Sequence, residues 1–278
     1  MKSGPWPAAG PEWLDRRDWL AGAAGWGAAL AGLGGCATAP TEPTAAGPAD
    51  AGATPATQVL PFSSAAPGAA PAGWRPYALR RDLTRTRYAV VRDGARRVLH
   101  ARAAASATGL RCAVHIDPVD FGQLHFSWRV NQVPASANVA AAEHDDCPAR
   151  LILAFGGDDT RLPLRDRLFY EQVELFTGQR LPYATLMYVW DGGHHAPESV
   201  HRNHRTPRIQ YLTVESGPQR TGRWLHYQRD VVADYRRVFG EAPGPVVGVG
   251  VLTDADALKL ELEAWYGDIT LARSAPTL

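Results

Sequence analysis

The sequence predicts an all-β fold with one or two short helices, a jelly-roll-like β-sandwich built as a single domain, and three observations carry that expectation. Gln123–Val130 alternates cleanly: Leu124, Phe126, Trp128 and Val130 fall on one side of an extended chain, and His125, Ser127 and Arg129 on the other, the pattern of a half-buried strand. After an acidic connector at 131–150, Leu151-Ile152-Leu153-Ala154-Phe155 is continuously apolar, as in a strand covered on both faces. Extended segments arrive about every 10 to 15 residues between Gly, Pro and Asp turns, which is sandwich spacing rather than the rhythm of βαβ units.

Taken in order, 58–62 reads as an opening strand and 63–73 as a loop. Short extended segments follow at 74–79, 88–92 and 97–103, the last two joined by the hairpin signal Asp93-Gly94. Residues 111–116 alternate before Asp117-Pro118 stops them, and the central pair comes next. At 166–176 the period becomes helical, with Leu168, Phe169, Gln172, Val173 and Phe176 on one face, Asp166 as N-cap and Gly178 just beyond. Residues 184–190 make another buried strand and 194–205 a polar loop, while 208–215 and 224–227 are strands flanking the turn Ser216-Gly217-Pro218. A second helix is expected at 230–239, capped by Asp230 and ended by Gly240, with Val231, Val232, Tyr235, Val238 and Phe239 facing inward. Strands at 246–252 and 264–271 close the sheet.

Acidic and basic residues nearly cancel at net +1, so no global field points to nucleic acid. Only Lys2 and Lys259 are lysines among 29 basic residues, and the arginines are spread along the chain, as a coding bias rather than a phosphate-binding patch would leave them. An apolar content of 45% with 21% charged residues describes a globular protein with a sizeable core.

The amino terminus reads as an address. Arg16 and Arg17 precede Trp19-Leu20 and an uncharged Ala/Gly-rich run at 21–35. That run is too short and too weakly apolar for a lasting transmembrane helix, which needs about 20 predominantly apolar residues. A basic segment, a modest apolar core and small residues are the parts of an export signal. Leu33-Gly34-Gly35-Cys36 resembles the bacterial lipobox, with Cys36 as the lipidated residue, and Arg16-Arg17 resembles a twin-arginine signal. The resemblance implies an export signal at 1–36, attachment to a membrane through a lipid anchor and a periplasm-facing location. Ala37, rather than an aspartate, after the cysteine implies the outer membrane as destination. Residues 37–57, rich in Ala, Pro, Thr and Gly, read as a disordered tether. The sandwich is then expected at 58–273, about 215 residues and usual for one all-β domain. Disulfides persist in such a compartment, so Cys112 and Cys147 are either a bridge or two thiols; without C-x-x-C spacing they do not point to a zinc or redox pair.

The polar face of the central strand offers His125 and Arg129 for ligand binding, with Asp158 or Glu171 as acidic partners in a groove. Asp145 and Asp146 join them from the connector, and Trp224 is a stacking platform for a sugar ring, while Trp128 and Trp190 belong to the core. Acidic residues at strand ends, Asp145, Asp254 and Asp256 among them, either converge on a structural Ca²⁺, which takes about six to eight oxygens, or cap turns. His194, His195, His201 and His204 crowd one loop, for which zinc binding and plain solvation are the two readings. No Gly-x-Ser-x-Gly elbow, His-Glu-x-x-His or phosphate-cradling glycine loop occurs. The expected function is non-catalytic binding of a carbohydrate or another envelope component. The alternatives are a structural role in envelope assembly, or a glycoside hydrolase or lyase using two of Asp145, Asp146, Asp158, Asp254 and Asp256.

Several motifs occur in a fixed order. They are Phe126-Ser127-Trp128-Arg129-Val130, Asp145-Asp146 leading into Ala149-Arg150-Leu151, Met187-Tyr188-Val189-Trp190, Gly222-Arg223-Trp224, Asp234-Tyr235, Thr253-Asp254-Ala255-Asp256 and Tyr266-Gly267-Asp268-Ile269. The series resembles the exported or lipid-anchored bacterial proteins of the domain of unknown function 3047. The likeness runs from about Val59 to Leu271 and implies a one-domain β-sandwich, without bringing an established activity or catalytic residues. Ala257-Leu258 after the Asp-x-Asp departs from the polar residues the family often has there, which weakens a metal site at that point.

Overall fold

The computed structural model describes residues 56–78, 84–177 and 179–274. Arg16, Arg17, Cys36 and nearly all of the tether expected at 37–57 lie outside the described residues. One sheet has seven strands, in the spatial order β1 (Trp74–Tyr77), β4 (Gly109–Ile116), β11 (Val246–Asp254), β6 (Cys147–Phe155), β7 (Ala184–Asp191), β9 (Ile209–Ser216) and β8 (Val200–Arg202). The other runs β10 (Leu225–Asp230), β5 (Gln123–Val130), β12 (Glu261–Tyr266), β3 (Arg96–Ala104) and β2 (Arg87–Asp93), with β13 (Thr270–Ala272) also paired to β5. The predicted class, an all-β sandwich with short helices, is the observed one. Its strand pairs are antiparallel except β7 with β9, because the chain lays down β8 at the edge first and returns between.

The alternation of β5 does what the sequence predicts: Leu124, Phe126, Trp128 and Val130 are buried, and His125 and Arg129 are half-buried on the outer face. Between the sheets Trp128 meets Trp190 at 6.3 Å and Phe126 meets Tyr188 at 5.8 Å. Large side chains fully removed from water in this way stabilise the sandwich by roughly 1.5–3 kcal/mol each. Helix α2 (Val231–Phe239) closes one end of the core. Asp230 caps it by accepting from the Ala233 N–H at 2.9 Å, and Gly240 ends it in the left-handed conformation at φ 73°. Its Tyr235 packs on Phe155 at 4.6 Å.

Four expectations are corrected. Segment 58–62 is not a strand: Ala56 bridges to Val114, and Pro61, without an N–H for a ladder, leads into a 3₁₀ turn at Phe62–Ser64. Helix α1 (Leu164–Thr177) starts before Asp166, whose buried carboxylate accepts from the Thr206 hydroxyl instead of capping, and it turns Leu164, Leu168 and Leu175 outward. The final strand breaks at Gly267-Asp268 into β12 and β13. The loop at 194–205 contains β8.

Cys112 and Cys147 are free and buried, which decides between bridge and thiols. They lie in β4 and β6 with β11 between them, opposite Val249 and Asp254 respectively. Two strand spacings of about 4.8 Å and a five-residue offset exceed the roughly 7 Å that a bridge tolerates between Cα atoms.

Candidate functional site

The register of the second sheet lines up planar side chains on its outer face. Trp265 of β12 stands opposite Arg129 of β5 and His100 of β3. Trp224, one residue before β10, extends the row. His100 stacks on Trp265 at 4.8 Å between ring centroids, 16° from parallel. The Arg129 guanidinium lies 4.4 Å from the Trp265 ring and 5.5 Å from that of Trp224, and Arg96 lies over Trp224 at 4.5 Å. Each such contact is worth about 0.5–2 kcal/mol, according to how far water is excluded. Asp93, ending β2, anchors the row by accepting from the Trp224 indole N–H and pairing with Arg129 at 3.3 Å.

A cleft of about 520 Å³ adjoins this row and shares Arg96 with it. Its walls come from Arg96 and Arg97 of β3, His125 and Ser127 of β5, His226 of β10 and Asp268. Arg96 crosses Gly267 to donate to Ser127 Oγ at 3.3 Å. The glycine is what leaves that path open: a Cβ at 267 would stand 2.3 Å from Ser127 Oγ and 3.0 Å from Arg96 Nη2. Ser127 is therefore buried on a face where its neighbours are half-exposed. Register puts His226 opposite Ser127, and His125 between Gln228 and Thr270. At the cleft wall Asp268 accepts from the Ser63 N–H at 2.9 Å and from its hydroxyl at 2.5 Å.

Among the residues proposed from sequence for ligand binding, His125 lines the cleft, and Arg129 and Trp224 belong to the row. Asp145 and Asp146 are not on this face, which corrects the grouping of all five. The connector carries the chain out of the second sheet into β6 of the first, so its far end meets β11. Asp158 caps the 3₁₀ turn Asp159–Arg161 and Glu171 lies on α1; neither lines the cleft.

Asp145 and Asp254 instead flank a buried arginine. Arg150 donates to both oxygens of Asp254, at 3.2 Å from Nε and 2.9 Å from Nη2, and its Nη2 reaches Asp145 at 2.9 Å. Burial pushes the Asp254 carboxyl up to about 7, against the pull of Arg150. Burial also raises Asp145, opposed again by Arg150. For Arg150 burial works downward, and the two carboxylates outweigh it and keep it charged.

The carboxylates that converge within 4.8 Å are those of Asp146, Asp254 and Asp256, a set that could hold a metal ion; Asp145 is not among them. Two of these donors are already engaged. Asp146 accepts from the N–H groups of Ala257 and Leu258, and Asp254 holds Arg150, which brings a positive charge to the place a cation would take. Of the four clustered histidines, His195 and His201 come together at 3.9 Å between rings. The N–H groups of His194 and His195 are tied to the buried Asp191 carboxylate. Burial, then His195, pushes His201 below its ordinary value. Among the described residues the histidines do not form a group of three or more donors.

A model of the family described as protein of unknown function (DUF3047) matches residues 72–270, which takes in both sheets and most of the cleft. The chain belongs to that family. No curated protein matches it. Among solved structures, this DUF3047 chain is 10% identical to a family 29 carbohydrate-binding module complexed with mannohexaose, covering 79% of this chain and 93% of that one at a TM-score of 0.32. It is 9% identical to endoglucanase 3 of Trichoderma harzianum, from glycoside hydrolase family 12, covering 74% and 100% at a TM-score of 0.34. It is 6% identical to the xyloglucanase domain of a type three effector from Sinorhizobium fredii in complex with cellobiose, covering 73% and 97% at 0.34. Overlaps this loose assign neither a ligand nor an activity to the DUF3047 chain.

Reasoning from sequence missed Arg96, Arg97, His226 and Asp268 of the DUF3047 cleft. Two signals stood near them: Tyr266-Gly267-Asp268-Ile269, where a glycine interrupts a strand, and Arg96-Arg97 directly behind the Asp93-Gly94 turn.

Proposed function

We propose that this DUF3047 protein is an exported, lipid-anchored envelope protein whose sandwich binds a saccharide, without chemistry, in the cleft on the outer face of the second sheet. The observation that carries the reading is the cleft itself, polar and open beside a row of indoles. A sugar ring offers hydroxyl groups at its rim and an apolar C–H face, so it asks for hydrogen-bonding groups next to flat apolar surface. His125, Ser127 and His226 supply the first and Trp224, beside the cleft wall Arg96, the second; the Trp265 ring is already taken up by His100 and Arg129. In this reading Trp224 also holds Arg96 and Arg129 in place, since both guanidinium groups lie over its ring.

The hydrolase alternative has less behind it. Two-carboxylate hydrolysis needs a pair about 5 to 9.5 Å apart beside the substrate. The cleft is lined by one carboxylate, Asp268, whose two oxygens accept from Ser63. The address rests on Arg16, Arg17 and Cys36.

Affinity electrophoresis against a panel of neutral and acidic polysaccharides tests the binding. Retardation by at least one polysaccharide is expected, lost in His125→Ala and Trp224→Ala forms that keep the parent melting temperature. Unchanged retardation of both variants would place binding elsewhere. Cell fractionation tests the address: Cys36→Ala should move the protein from the membrane pellet to the soluble fraction, and a pellet unaffected by the change would sink the lipid anchor.

A further inference from the structure

The cleft has a sign. Arg96 and Arg97 line it, and among the described residues neither is paired with a carboxylate: Arg96 donates to Ser127 and lies over Trp224, and Arg97 donates to the Ala65 carbonyl at 3.2 Å. Elsewhere on this face Arg129 is neutralised by Asp93, and Arg102 pairs with Glu261 and Glu263. His125 and His226 line the same cleft, and neither forms an ion pair among the described residues. The one acid lining it, Asp268, accepts from Ser63 with both oxygens and keeps its charge, so the cleft sets two guanidinium charges against one carboxylate.

Ser127 is where these groups meet. Its Oγ accepts from Arg96 at 3.3 Å, which leaves its own proton free for another acceptor, and His226 stands directly opposite it in the register. An anionic oxygen set above Ser127 would receive a hydroxyl proton from below, a guanidinium from the β3 side and an imidazole from the β10 side. Charge-assisted hydrogen bonds of this kind are roughly twice as strong as neutral ones, and the planar fork of arginine suits a carboxylate or a phosphate. A neutral sugar would leave the excess positive charge of the two arginines over Asp268 without a counter-charge.

We propose that the saccharide taken by this cleft is an acidic one, its carboxylate or phosphate group bound by Arg96, Arg97 and His226 over Ser127. The inference rests on the cleft being a saccharide site and adds the class of ligand. Trp224 then serves the sugar ring next to the charged group.

Three probes separate the outcomes: polygalacturonate for a carboxylate, a phosphomannan for a phosphate and unmodified mannan as the neutral control, each titrated into the full-length protein by calorimetry. One acidic polymer should bind at least about tenfold more tightly than mannan, a difference of about 1.4 kcal/mol. Which of the two it is tells the anion apart. Raising salt from about 0.1 M to about 1 M shortens the screening length from about 10 to about 3 Å and should remove most of that preference. Arg97→Ala, on an exposed side chain, should abolish the preference while the melting temperature stays put; Arg96→Gln serves as the second variant. Equal binding of mannan and both acidic polymers, insensitive to salt and to Arg97→Ala, overturns the acidic assignment and leaves the saccharide site standing. Binding of none of the three overturns the acidic assignment, and if the wider polysaccharide panel is also empty the saccharide reading falls with it.

Discussion

Arg150 and Asp254 join β6 to β11 inside the protein through two hydrogen bonds, at 3.2 and 2.9 Å, with the arginine side chain 2% exposed. Removing Asp254 leaves the buried Arg150 with Asp145 alone and its Nε without an acceptor, a loss toward the lower end of the roughly 3–5 kcal/mol that breaking a buried pair costs. Asp254→Ala is therefore expected to lower the urea midpoint severely, and Arg150→Met with Asp254→Leu together to cost less than Asp254→Ala alone. A single variant as stable as the parent would show the pair to be dispensable. Because Arg150 already supplies the positive charge among these acids, adding calcium or a chelator should leave the melting temperature where it is; a calcium-dependent rise would identify a metal site after all.

The same pair gives a pH dependence of unusual sign. Asp254 is raised from 3.8 to about 7, so between those values the folded protein holds a proton that the unfolded chain has lost. Its contribution is fully present below about pH 4 and disappears as pH rises through about 7. Glu198 has the opposite sign: hydrogen bonds from Arg229, then Arg237, hold its carboxyl below 4.5, so its contribution exists above that value and is lost as pH falls through the lower folded one. Urea midpoints measured from acid to neutral pH should lose their high-pH slope in Asp254→Asn and their low-pH slope in Glu198→Gln. Parallel curves for parent and variants would assign the titrations to other groups.

What could be read from the sequence was local. The face of β5 was legible because one side of the strand is buried and the other is not, and α2 was legible because Asp230 and Gly240 act within one turn of the helix they bound. Position in space was not legible. Asp146 lies 16 residues beyond the end of β5 along the chain, yet its connector crosses to the other sheet, so nearness in sequence misled. The cleft escaped because its walls come from β3, β5, β10 and the turn after β12, segments joined only by strand order. Leu168 has the spacing of a core residue but faces out, since α1 is held through Asp166 and Tyr170 on its other side.

Strand order also governs the thiols. With β11 between them, Cys112 and Cys147 cannot bridge, and burial pushes the Cys147 thiol up to about 12 and raises that of Cys112. A thiolate is the reactive form, so neither should be alkylated by iodoacetamide at mildly alkaline pH until denaturant is added. Peptide mass mapping reads this directly. A linked pair of peptides carrying Cys112 and Cys147, recovered without reductant, would contradict the strand order itself.

Gly267 offers a way to test the cleft without touching its charged groups. Its backbone does not need glycine for conformation, as its φ is not in the left-handed region; what it lacks is a Cβ that would stand 2.3 Å from Ser127 Oγ and 3.0 Å from Arg96 Nη2. Gly267→Ala must therefore push Arg96 off Ser127 or shift the turn. The nearer obstacle is a short hydroxyl and the farther one the end of a flexible side chain, so the sheet should survive at a cost of about 1–3 kcal/mol, typical of overpacking. Arg96 should leave the cleft wall and Trp224 lose one of the two guanidinium groups over its ring, which the indole fluorescence of Trp224 would register against a Trp224→Phe background. If Arg96 is what holds the ligand, Gly267→Ala and Arg96→Gln should weaken binding to the same extent, and their combination should weaken it no further. Additive losses would mean that the glycine acts on the cleft by some route other than Arg96.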